Sequence, residues 1–292
     1  MAAENSVIED PKGHSDAIVA IEKLLEVIKN SEAGTMIRLT EEIKSATKDL
    51  IEMELSKVSV SSGCELFLRF ITFASLEQLK FEDCRSLLLK RGNLFLQKAF
   101  KSRDKIAEIG APFIRDNTTI LVHSRSRVVL RLLQEAVSNG KRIKIFITAS
   151  NIDNTGITMQ KFLKESGIAS KLILDSAAGY LMEKVDLVMV GAEGVAESGG
   201  IINKIGTYQI AVMAKTLNKP FYVVAESFKF VRMFPLNQDD LPNTEKYSSV
   251  DSAITSHPVI DYTPPCYITL LITDLGVLTP SAVSDELIKL YM

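Results

Sequence analysis

The spacing of apolar residues changes once along this chain, at Ala111-Pro112, and that change decides most of what the chain can fold into. Upstream, apolar side chains recur at intervals of three and four, the repeat of one helix face. Ile18, Ile21, Leu24, Leu25 and Ile28 form one stripe, and Ile43, Ala46, Leu50 and Met53 begin another. Ser61 and Ser62 precede Leu66, Phe67, Phe70 and Ile71; a hydroxyl there accepts from the free amides of a first turn, so the two serines are expected to cap a third helix. A fourth, long helix is expected from Asp83 towards Gly110. Proline then disfavours helical geometry in its predecessor, and the rhythm becomes short uninterrupted apolar runs at 119–122, 143–148, 172–174, 187–190 and 221–224. Amphipathic stretches lie between them, such as Val128, Val129, Leu132, Leu133 and Ala136, and later Ile210, Ala211, Met213 and Ala214. Strands apolar on both faces and separated by helices describe a covered parallel sheet. The expected fold is α/β: an N-terminal all-helical domain over 1–112, followed by a Rossmann-like, doubly wound parallel-sheet domain over 113–292. The polar, turn-rich stretch 237–257 reads as a long, mobile loop.

Composition narrows the function classes. With 292 residues, 46% of them hydrophobic and 24% charged, the chain can bury a large core and is not disordered or low-complexity. Thirty-four Lys and Arg against 36 Asp and Glu give a net charge of -2, so no direct nucleic-acid partner is expected. Cys64, Cys84 and Cys266 are odd in number and widely spaced, which suits free thiols in a reducing compartment. The first sixteen residues hold no apolar h-region, and no stretch approaches the roughly 18 uncharged apolar residues of a membrane span. A soluble, cytosolic protein without a membrane partner is expected.

Ligands of open α/β sheets gather at the carboxyl ends of strands, where helix amides face an anion. Two places qualify. One is His123-Ser124-Arg125-Ser126-Arg127, where a strand runs into a helix. The other is Gly191-Ala192-Glu193-Gly194 followed by Gly199-Gly200 and by Asn203-Lys204. Neither spells a dinucleotide fingerprint or a P-loop, so no nucleotide and no cofactor is implied. Two readings of the glycines stand: a phosphate cradle, or a tight turn beside an ordinary solvated Lys204. His123 has two as well, a core histidine or a catalytic one. No cysteine neighbours a histidine, so neither zinc nor a thiol nucleophile is indicated. Between Arg85 and Lys105 lie seven basic residues and one acid, read either as a solvated helix face or as a patch for a phosphorylated partner.

The run VGAEGVAESGGIINKIGTYQIAV (190–212) resembles the signature of a family that joins the alpha, beta and delta subunits of eukaryotic translation initiation factor 2B to methylthioribose-1-phosphate and ribose-1,5-bisphosphate isomerases. SSGCELFLRF (61–70), VVAESFKFVRMFPLN (223–237) and DYTPPCYITLLITDLGVLTPSAVSDELIKLYM (261–292) agree with it, and within the family the likeness is closest to the alpha branch. The isomerase branch implies a Cys thiol and an Asp carboxylate as acid-base pair. At the matching positions this chain has Ser124 and Glu193. A thiol of pKa about 8.5 exchanges its proton near neutrality and a serine without an adjacent base does not, while glutamate adds one methylene to aspartate where a misplacement of about 1 Å costs about a hundredfold in rate. The resemblance therefore implies a non-catalytic regulatory subunit of the guanine-nucleotide exchange complex for initiation factor 2, with no catalytic residue and no metal. It further implies a homodimer that joins beta, delta, gamma and epsilon subunits and responds to the phosphorylated alpha subunit of initiation factor 2. A phosphosugar pocket would comprise His123, Ser124, Arg125, Arg127, Glu193, Asn203 and Lys204. The rival readings are an active aldose-ketose isomerase that uses Glu193 with a second group, and a stand-alone metabolite sensor.

Overall fold

A computed structural model of the chain describes residues 15–53, 57–72, 81–150, 153–242, 245–246 and 257–291. The chain divides into two compact units, Met1–Phe100 and Lys101–Met292. The division falls inside the fourth helix, ahead of the break expected at 112, because Ile106 and Ala107 near the helix's end are fully buried in the core of the second unit.

The first unit is helical: α1 (Asp16–Asn30), α2 (Met36–Met53), α3 (Lys57–Thr72) and the beginning of α4 (Phe81–Gly110). Ser15 opens α1 by accepting from the Ile18 amide at 3.4 Å. The stripe from Ile18 to Ile28 is buried, and α1 packs on α2 and α3. Gly63 lets α1 and α3 close: a Cβ there would stand 2.9 Å from that of Ala17. Ser61 and Ser62 do not cap α3, contrary to expectation. They lie inside it, with the Ser62 hydroxyl donating to the Ser59 carbonyl at 3.1 Å, because buried Val58 and Val60 carry the apolar face further towards the N-terminus. Arg85 closes the other end of α1, its Nε donating to the Ile28 carbonyl at 3.0 Å and its guanidinium also to that of Lys29.

The second unit runs β1 (Thr118–His123), α5 (Arg127–Ser138), β2 (Ile143–Thr148), α6 (Thr155–Glu165), β3 (Ser170–Ile173), α7 (Ala178–Leu181), β4 (Leu187–Gly191), β5 (Gly194–Ala196), β6 (Ile201–Lys204), α8 (Thr207–Thr216), β7 (Phe221–Val224), β8 (Phe230–Val231), β9 (Glu245–Lys246), β10 (His257–Pro258), β11 (Ile260–Thr263), β12 (Leu270–Thr273), β13 (Gly276–Leu278) and α9 (Val283–Tyr291). Its main sheet has the order β13-β12-β7-β4-β1-β2-β3, all parallel except for the antiparallel edge strand β13. The five expected apolar runs are all strands of this sheet, so the doubly wound parallel domain is as the sequence implies. Ile120, Val122, Ile145, Ile147 and Met189 supply its core, covered by Val129, Leu132 and Leu133 of α5.

A second sheet, of order β11-β6-β5-β8, had no sequence signal strong enough to be expected. Its strands span two to four residues, too few for a periodicity. The glycines of 190–212 serve it. Gly199 has φ of 83° and would place a Cβ 2.1 Å from the Pro280 carbonyl oxygen, while Gly200 lies against the ring of Tyr262. These two therefore shape the β5–β6 hairpin. Of the loop expected over 237–257, the described part holds a 3-10 turn at Gln238–Asp240, capped by Asn237, and the β9–β10 pair. Its remainder, 243–244 and 247–256, lies outside the described residues, as does the N-terminal segment 1–14.

Gly199→Ala combines an unfavourable φ with a clash against rigid backbone. It is expected to cost at least about 2 kcal/mol and to lower the thermal midpoint in calorimetry, where an unchanged midpoint would contradict the close approach.

Candidate functional site

β1 lies centrally, with β2 on one side and β4 on the other, so successive crossovers leave it in opposite directions. A crevice at the carboxyl end of such a strand is the usual ligand position of a doubly wound sheet. The chain leaves β1 through Ser124, whose φ of 60° is left-handed. It enters α5 at Ser126, whose hydroxyl accepts from the Val129 amide at 3.4 Å. Gly191 ends β4 so close by that a Cβ would stand 2.4 Å from the Ser126 hydroxyl.

His123 is 3% exposed, and both its ring nitrogens are engaged. Nε2 lies 2.9 Å from the Ile205 carbonyl, which can only accept, so Nε2 carries the proton. Nδ1 is then the acceptor, taking the Thr148 hydroxyl at 2.6 Å, and the same hydroxyl oxygen takes the Ser124 amide at 3.3 Å. Burial pushes the imidazole below its ordinary pKa of 6.5. His123 is thus a neutral clamp joining β1, β2 and the β6–α8 turn, with no lone pair left for proton transfer. Gly206 completes the fit: its φ is 99°, and a Cβ would approach His123 Cε1 to 3.2 Å.

Ser124 and Lys204 meet through residues that the sequence did not single out. The Asp153 carboxylate takes the Thr155 hydroxyl at 2.8 Å, the Thr155 amide at 3.1 Å and the Ser150 hydroxyl at 3.1 Å, and pairs with the Lys204 ammonium. Since the Thr155 proton points to Asp153, the 2.7 Å contact between the Thr155 and Ser124 hydroxyls has Ser124 as donor. Its proton thus goes to a hydroxyl, and among the described residues neither an imidazole nor a carboxylate hydrogen-bonds to it directly. Asp153-Asn154-Thr155 is a helix-entry sequence just beyond a strand, the one signal that could have placed Asp153 beforehand.

Asn203 is buried, its side-chain amide donating to the Thr207 hydroxyl at 3.0 Å. Opposite it in register, Asp261 is buried and accepts the Gly206 and Tyr208 amides at 2.7 and 3.0 Å, capping α8. Arg125 rests on the Phe162 ring, 5.3 Å from its centroid, and Arg127 is the first residue of α5. Glu193 is half-buried between β4 and β5, its amide donating to the Ile202 carbonyl at 2.9 Å. His123, Ser124, Asn203 and Lys204 therefore gather at the joined ends of β1 and β6, whereas the guanidinium of Arg125 turns to α6.

Beyond this crevice, Glu226 is 1% exposed and meets Arg103 Nε and Lys229 Nζ, each at 3.0 Å. Burial opposes its charge, but the two cations outweigh it and hold the carboxyl down to about 2. Arg103 and Arg85 of the basic stretch are thus structural, while Lys90, Lys98, Lys101 and Lys105 are exposed. Cys64 and Cys84 are buried and Cys266 exposed, with burial pushing the Cys64 thiol up to about 12. Among the described residues no group of three or more His, Cys, Asp or Glu is placed to hold a metal, and no helix is long and apolar enough to cross a membrane.

Burial raises the Asp261 pKa from 3.8 to about 7 against the pull of the α8 amides. A raised carboxyl favours the folded state below its unfolded value and loses that contribution as pH rises through about 7. In urea unfolding from pH 4.5 to 8, the stability of the unaltered chain relative to Asp261→Asn is expected to fall as pH rises; a constant difference would contradict the shift.

Residues 13–280 match the initiation factor 2 subunit family. The chain is 46% identical to translation initiation factor eIF2B subunit alpha of Dictyostelium discoideum, covering 95% of this chain and 92% of the relative. The same subunit of Caenorhabditis elegans is 39% identical, covering 98% and 96%. A ribose 1,5-bisphosphate isomerase of Archaeoglobus fulgidus is 31% identical, covering 87% and 82%. The crystal structure of a Pyrococcus horikoshii translation initiation factor eIF-2B superposes with a TM-score of 0.78 at 27% identity, covering 91% and 90%. By near-full-length sequence match and by fold, this chain belongs to the initiation factor 2 subunit family.

Proposed function

We propose that the chain is a regulatory, non-catalytic subunit of the guanine-nucleotide exchange complex that reloads translation initiation factor 2. The observation that carries this reading is the likeness to two alpha subunits over nearly the whole of both chains, at 46% and 39% identity. The site supports it: where the isomerases imply a thiol, Ser124 gives its proton to Thr155, and His123 has both nitrogens engaged. The chain acts by binding. It pairs with a second copy of itself, joins beta, delta, gamma and epsilon subunits in the cytosol, and its helical domain over 1–112 helps recognise the phosphorylated alpha subunit of initiation factor 2. Regulation of this kind needs a phosphate to favour one arrangement of the complex over another, typically by about 1 to 3 kcal/mol. The crevice of His123, Ser124, Arg125, Arg127, Glu193, Asn203 and Lys204 serves as a pocket for a sugar phosphate held without turnover.

Two assays test this. The purified chain, given methylthioribose 1-phosphate or ribose 1,5-bisphosphate, is expected to form no ketose; turnover abolished by Glu193→Gln would replace the proposal with the isomerase reading. Nucleotide exchange by the complex assembled with and without the chain is expected to differ most when the phosphorylated factor is present. Equal inhibition in both would remove the regulatory role.

A further inference from the structure

We infer that Asp153 sets the selectivity of the crevice, admitting phosphate esters that carry hydroxyl groups and rejecting bare phosphate. The inference rests on the phosphosugar reading of the pocket and adds to it a residue outside the family signature. Lys204 is a cation of the crevice, and Asp153 already pairs with it, with the two side chains 28% and 25% exposed. An incoming anion must therefore separate an ion pair and then lie beside the released carboxylate.

Asp153 does not swing away freely. One of its oxygens is held by the Thr155 hydroxyl and amide and by the Ser150 hydroxyl, at 2.8 to 3.1 Å, which leaves the other facing Lys204. A bare phosphate carries its own O–H groups only on the charged centre, so it can offer a donor to that oxygen only by bringing its negative charge against the carboxylate. A sugar phosphate brings the same anion together with O–H donors, which satisfy a carboxylate. Ser124 sits on the same chain of hydrogen bonds through Thr155. A hydroxyl that binds there joins a network already oriented towards Asp153. Parting the carboxylate from its ammonium with only another anion in exchange costs more than replacing the ammonium by a neutral O–H donor, and that difference is what separates the two ligands.

The test is calorimetric titration of the full chain with inorganic phosphate and with ribose 5-phosphate, in the unaltered chain, in Asp153→Asn and in the charge-preserving Asp153→Glu. The unaltered chain is expected to bind the ester at least about tenfold more tightly than phosphate. Asp153→Asn is expected to tighten phosphate by about tenfold and to collapse the ratio, while Asp153→Glu keeps phosphate weak. Thermal melts report whether each variant is folded, and the Glu variant answers if the Asn variant is not. A ratio unchanged in Asp153→Asn, or a Glu variant that tightens phosphate as Asn does, would overturn the role of Asp153 and leave the pocket standing. Absence of binding by either compound to the unaltered chain would overturn the pocket itself, and this inference with it.

Discussion

A neutral imidazole, walled in and bonded at both nitrogens, fixes the geometry on which the crevice depends. His123 ends β1, an interior strand of the main sheet, and through Ile205 it reaches the end of β6 in the smaller one. Its demands explain several neighbours. Thr148 must supply a hydroxyl, Gly206 must lack a side chain, and Ser124 must turn through a left-handed conformation to deliver its amide to Thr148. A buried donor or acceptor left unpaired costs about 1 to 3 kcal/mol, so these residues hold one another in place. The same contacts that rigidify the crevice remove the histidine from proton chemistry.

A buried cluster of charges ties the same unit together elsewhere along the sheet. Glu226, at the end of β7, binds Arg103 near the end of α4, while Lys229 bridges Glu226 to the Ala192 carbonyl in the β4–β5 connection. Replacing such a cluster by apolar residues is often neutral for stability, whereas removing one partner is strongly destabilising. The cluster links α4, the end of β7 and the β4–β5 connection that carries Glu193. Both clusters are scaffolding made from residue types that elsewhere carry chemistry.

Five of the seven strands of the main sheet were legible in the sequence as largely apolar runs bounded by turns, from Ile120 in β1 to Val223 in β7, whereas β12 and β13 were not singled out. The helical first third was legible because its stripes are long. The second sheet was not, since Gly194–Ala196 and Ile201–Lys204 are too short to show a period and their glycines suggest turns. The ends of α3 were misread because Val58 and Val60 outweigh the capping tendency of Ser61 and Ser62. In the crevice, His123 and Ser124 stood out at the end of an apolar run, and Asn203 and Lys204 through the family signature that contains them. Thr148 and Asp261 became visible only in three dimensions, because their partners His123 and Gly206 lie 25 and 55 residues away in the sequence.

On the proposed reading, a chain that carries Ser124 and Glu193 where the isomerase branch implies a thiol and an aspartate acts through assembly. Native mass measurement of the material that co-purifies with the tagged chain from its own cells tests this most directly. The account predicts a large assembly that contains two copies of this chain together with the other subunits of the exchange complex. Recovery of the chain alone, with no partner subunit at native concentration, would contradict it.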